Sequence, residues 1–147
     1  MHEFEQTENA IIERLDVLKA SGLKTLEAYS GQMEVGELEE LTFQFPCIYV
    51  IAGGLRIEEV NRYDKYRIDV TLMVGDRNVK GGVAAARGDV SSPGVYEMLK
   101  EARGLLHNKK LLKGWTRPLV TYEGPLIYAP ERSICLYTAE YGLRAVR

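Results

Sequence analysis

The sequence predicts an α+β fold: a mostly antiparallel mixed sheet of about five strands packed with two main helices, in a single domain. Three observations carry this expectation. Ile11, Leu15 and Leu18 recur at helical spacing, YRIDVTLMV alternates apolar and polar residues, and SPGVYEMLKEARGLL opens on a helix-start signal. No repeat, low-complexity tract or linker divides the 147 residues, and a chain of that length buries a core without staples.

The elements follow in order. Ile12 widens the first stripe, so a helix is expected over 7–20, with Thr7 as its cap and Gly22 as its stop. Lys24 to Tyr29 reads as a short strand ended by Gly31. In EVGELEEL, Val35, Leu38 and Leu41 recur every three residues, which suits one or two helical turns. Pro46 then opens CIYVIAGG, an almost unbroken apolar run of the kind found in a central strand covered on both faces. In the next strand Tyr66, Ile68, Val70, Leu72 and Val74 face one way, and Arg67, Asp69, Thr71 and Met73 the other. Between the two, GLRIEEVNRYDK reads as a long, polar hairpin end.

Ser92 and Pro93 supply a cap and a proline at the first helical position. Val95, Leu99, Ala102 and Leu106 mark the buried stripe of that helix, and Lys109 and Lys110 lie where a helix end favours positive charge. The tail adds strands over 119–122, 126–128 and 133–141, the last with Cys135, Tyr137, Ala139 and Tyr141 on one face.

Charge is polarised along the chain. Residues 1–60 hold twelve acidic and four basic side chains, a net of -8, whereas the remainder carries +6. Such polarity suits complementary contacts between copies of one chain, although both halves can equally mix on one surface. No apolar run approaches the roughly 20 residues of a membrane span. The acidic start MHEFEQTENA lacks the order of a secretion signal, so export is not expected. Cys47 and Cys135 lie in apolar runs and read as free buried thiols in a reducing compartment.

The stretch RNVKGGVAAARGDVSSPG invites a phosphate-loop reading and fails it. Lys80 precedes its glycines instead of following them at the helix, and no Gly-x-Gly-x-x-Gly occurs. Arg87-Gly88-Asp89 reads as a turn. His2 is expected at a frayed end and His107 exposed near a helix end. Two histidines and two cysteines share no ligand spacing, so neither metal nor cofactor is expected. No nucleophile elbow supports a catalytic set, and no catalytic residue is assigned. Lys109, Lys110 and Lys113 beside Trp115 could serve nucleic acid, but no binding motif accompanies them at a pI near 5.8. What remains is the length of the 76–92 connection, expected to be a flexible arm used in binding.

The order of segments resembles a family of small proteins encoded in the tail modules of Mu-like phages and prophages. The likeness runs through EAYSG, FPCIYVIAGG, YRIDVTLMVGDRN and SPGVYEMLKEARGLLHNKKL, and covers nearly the whole chain. That family is similar to tail-terminator proteins of long-tailed phages. The resemblance implies no enzyme but a homo-oligomeric ring, of six subunits, capping the tail tube and offering a surface to the head connector. It implies assembly in the bacterial host cytoplasm and then a place in the virion tail. From the residues themselves neither a membrane nor a nucleic-acid partner is expected. Another connector or baseplate role, or a nucleic-acid-binding accessory role, stands as the alternative. The candidate subunit or tube contacts are Arg77, Lys80 and Arg87 of the arm, meeting Glu37, Glu39 or Glu40 of a neighbour, with Tyr141 as a further interface candidate.

Overall fold

The computed structural model describes residues 1–31, 45–129 and 133–146. The expected turns around Val35, Leu38 and Leu41, and the candidates Glu37, Glu39 and Glu40, lie outside the described residues. The first helix, α1, spans Glu3–Leu15 and continues as a 3-10 helix over Asp16–Ser21. It begins earlier than the spacing of its apolar residues predicts because His2 caps it, accepting the Phe4 amide at Nδ1 over 3.0 Å. Glu3 and Glu5 in the first turn complement the helix dipole. Thr7 is not the cap; its hydroxyl donates to Glu3 O within the helix. Gly22, with φ of 108°, ends the 3-10 helix as expected.

Five strands follow among the described residues: β1 (Thr25–Ala28), β2 (Cys47–Val60), β3 (Tyr63–Arg77), β4 (Leu119–Ala129) and β5 (Ile134–Val146). They form one sheet in the order β1-β2-β3-β5-β4, with β1 parallel to β2 and every other pair antiparallel. Two further helices, α2 (Gly82–Arg87) and α3 (Val95–Leu106), connect β3 to β4.

The main core lies between one sheet face and the helices. Ile68, Val70, Leu72 and Val74 of β3 are fully buried there, the period-two face expected from YRIDVTLMV. Ile11 and Leu15 of α1 and Val95, Leu99, Ala102 and Leu106 of α3 pack onto them. Arg14 ties the two long helices by donating to Leu105 O at 3.0 Å. β1 ends opposite Val50, and Glu8 of α1 accepts the amide of Ala52 just beyond it, at 3.0 Å. A second cluster, of Phe45, Cys47, Tyr49, Ile134 and Leu136, lies apart from the main core. The start of β2 is therefore buried on both faces.

Three boundaries depart from expectation. The β2–β3 hairpin has no long loop: both strands run to Val60 and Tyr63, joined by Asn61 and Arg62 at φ of 52° and 70°. Two left-handed residues match the turn whose twist fits paired strands. β4 is one strand instead of two, with register irregularities between Val120 and Tyr122 and between Pro125 and Ile127. Proline without an amide is tolerated because β4 is an edge strand. Finally, the 76–92 connection contains a helix, and Ala85 and Ala86 of that helix belong to the core. The packing of two alanines fixes a segment whose small residues read as an arm.

Candidate assembly surfaces

The loop around α2 is organised by a buried carboxylate. Asp76, at the end of β3, is 1% exposed. Its Oδ2 accepts the Ser92 hydroxyl and, at 3.0 Å, the Gly94 amide, while Oδ1 accepts the Arg77 amide at 2.7 Å. Burial pushes the Asp76 carboxyl above its ordinary range, and those hydrogen bonds oppose the shift. A second carboxylate lies nearby. Asp89 accepts from the Ser91 hydroxyl and amide through Oδ1 and from Asn78 Nδ2 through Oδ2, at 2.7 to 2.8 Å. The Ser91 hydroxyl and then the Asn78 amide hold Asp89 below the usual carboxylate range. A cleft of about 710 Å³ opens beside this network, lined by Asp76, Asn78, Asp89, Ser92 and Pro93 among others.

The sequence candidates do not converge on one patch of free charge. Arg77 is half-buried at the end of β3. Lys80 pairs within the chain, its Nζ 3.4 Å from Asp89 Oδ2. Arg87 is exposed at the end of α2. Tyr141 is a correction: it is 1% exposed and belongs to the main core, on the face of β5 that also buries Cys135, Ala139, Leu143 and Ala145. Its ring is not available to a partner of the folded chain.

His107 also differs from expectation. It is half-buried, and its Nδ1 accepts the Val120 amide at 3.0 Å, tying the end of α3 to β4. Trp115 is a core residue, 4% exposed, and Lys110 donates to its carbonyl at 2.7 Å. The basic helix end is thus partly engaged in holding the loop. Cys47 and Cys135 are free and buried, with thiols pushed up by burial to about 12 and about 11. Among the described residues no group of three or more His, Cys, Asp or Glu could hold a metal ion. No helix among them is long and apolar enough to cross a membrane.

The hairpin supplies surfaces that the sequence did not single out. Beyond the core its outer part exposes Ile57, Val60 and Tyr63, the last at 62%. On the sheet face turned away from the helices, Arg56 of β2 pairs in register with Arg67 of β3, and Arg67 with Arg144 of β5. Arg144 alternates with the core residues Leu143 and Ala145, and Arg67 with Ile68, so all three point off the helix-free face. Three like charges side by side across a sheet are unfavourable for the isolated chain. Arg67 is relieved by Asp69, its Nε lying 3.1 Å from Oδ1.

Edge strand β4 exposes Leu119, Tyr122 and Leu126. Its irregular register and Pro125 limit continuous strand addition there.

No curated protein matches the chain. Among solved structures it is similar to a chain of a particle described as "Virion of native gene transfer agent (GTA) particle". The two share 10% identity with a TM-score of 0.54, over 95% of this chain and 94% of that one. At that identity the likeness is one of fold. The family described as "Bacteriophage Mu, Gp37" matches residues 3–140, and the chain therefore belongs to the Bacteriophage Mu Gp37 family.

Proposed function

We propose that the protein is a structural tail-completion component of a phage or prophage. Copies of it close a ring, of six subunits by the family resemblance, on the end of the tail tube. The ring ends tube growth and offers a head-joining surface. Assembly takes place in the bacterial host cytoplasm, and the protein then stays in the virion tail. The observation that carries this reading is the family match over residues 3–140. The likeness in fold to a chain of a gene transfer agent virion supports it.

The mechanism is surface complementarity between copies, with heterologous contacts that close when the rotation between neighbours closes. Arg87, exposed at the end of α2, is open to acidic side chains of a neighbour. Lys80 contributes less because Asp89 already holds it. Each exposed pair contributes under about 1 kcal/mol, so the hairpin's apolar residues must supply much of the contact.

The test is mass by light scattering at several protein concentrations, with and without purified tail tubes, followed by negative-stain imaging. A closed ring, or a monomer that caps tube ends once tubes are added, is the expected result. A monomer that ignores tubes at every concentration removes the reading.

A further inference from the structure

We infer that the row Arg56–Arg67–Arg144 is a docking surface for a glutamate-rich segment of a second copy of this chain, a contact that presupposes the ring reading above. Neighbouring strands place the three arginines about 4.8 Å apart along the row. Among the described residues, Arg67 has Asp69 as an ion-pair partner, whereas no carboxylate pairs with Arg56 or Arg144. The row lines a shallow depression of about 180 Å³ together with Glu58 and Lys65. Guanidinium groups take carboxylates through two parallel hydrogen bonds. Like charges held directly opposite each other weaken the isolated chain, and an anionic occupant offsets that cost.

Charge complementarity selects the occupant. The chain has no lysine or arginine between Lys24 and Arg56, and EVGELEE at 34–40 places four glutamates in seven residues. That stretch lies outside the described residues. Arg77, Lys80 and Arg87 offer a poorer receptor, since Lys80 is held by Asp89. Nucleic acid is disfavoured by the net charge of -2 and pI near 5.8.

The experiment uses the full chain and a labelled EVGELEE peptide, with a control carrying glutamine for each glutamate. Binding is followed at low ionic strength for wild type and for Arg56→Glu/Arg144→Glu, a variant first checked for an unchanged thermal midpoint. The peptide is expected to bind wild type, to bind the variant at least about tenfold more weakly, and to release as salt screens the charges. Equal binding by both proteins, no binding by wild type, or equal binding of the glutamine control overturns the inference. Preferential binding of duplex DNA that survives about 150 mM salt and is lost in the variant also overturns it, in favour of nucleic acid.

Tube capping separates this contact from the ring reading. If wild type and variant cap tubes equally, the arginine row is not the contact and the ring reading stands. If wild type leaves tubes bare but binds the peptide as expected, the ring reading falls and the acidic contact belongs to another assembly. Reversing both surfaces in one chain, by adding Glu37→Lys and Glu39→Lys, is expected to restore capping lost in the arginine variant. Failure to restore it counts against the pairing.

Discussion

Gly94 donates its amide to Asp76 Oδ2 at 3.0 Å, joining the entrance of α3 to the end of β3 across eighteen positions of sequence. Ser92 donates to the same oxygen and the Arg77 amide to the other. Asp76→Asn puts a donor where one oxygen now accepts, so two donors face each other in a buried place. The expected loss is about 2–4 kcal/mol in chemical denaturation. A loss below about 0.5 kcal/mol would show that other contacts hold the loop.

The two carboxylates of this loop respond to acid in opposite senses. Asp76 is raised above 3.8 by burial, so its contribution is fully present below 3.8 and is lost as pH rises through the folded value. Asp89 is lowered from 3.8, chiefly by the Ser91 hydroxyl, so its contribution is present above 3.8 and lost as pH falls. In wild type the two partly cancel. Asp89→Asn leaves the Asp76 response unopposed, so that variant should lose less thermal stability than wild type on acidification through 3.8. Coincident melting profiles of the two proteins against pH would contradict this assignment.

What the sequence made legible was what is local. In β3 each residue declares its face, and Ile68, Val70, Leu72 and Val74 are fully buried as the alternation requires. α3 was legible from its stripe and from the Ser-Pro start. The short helix α2 was not, because six residues cannot meet the cost of helix nucleation alone and burial of Ala85 and Ala86 decides it. Tyr141 could have been placed correctly, since it shares a period-two face with Cys135 and Ala139, both apolar and buried. The arginine row could not, because Arg56, Arg67 and Arg144 meet through the register of three strands.

Gly88 and Gly94 pack backbone against backbone at φ of 80° and 81°, and a Cβ on Gly94 would approach Gly88 Cα to 2.6 Å. Gly88→Ala or Gly94→Ala should therefore cost more than about 2 kcal/mol. Gly104 is exposed within α3, and among the described residues no atom lies within 4 Å of where its Cβ would stand. Gly104→Ala should stabilise by about 0.5–1 kcal/mol through helix propensity. Denaturant midpoints of the three variants check both signs, and a tolerated Gly94→Ala would show that the two turns can move apart.

The Tyr141 hydroxyl is buried with no hydrogen-bond partner among the described residues, close enough to Glu123 to feel its charge. Removing the hydroxyl gives up no bond there. Tyr141→Phe should leave stability within about 1 kcal/mol of wild type or raise it, whereas Tyr141→Ala should cost about 3–5 kcal/mol through the cavity. A large loss for the phenylalanine variant would reveal a partner for the hydroxyl.

Cys47 and Cys135 belong to different apolar clusters, Cys47 with Tyr49 and Leu136 and Cys135 with the main core. Thiolate is the reactive form, and burial pushes the two thiols to about 12 and about 11. At neutral pH the native protein should show neither thiol to a disulfide reagent on the timescale of minutes, and denaturant should release both. Because β2 and β5 both flank the central strand β3, the reaction rate reports the opening of the sheet itself. If one thiol reacts promptly in the native protein, its strand opens locally, and the sequence position of the modified cysteine identifies which strand.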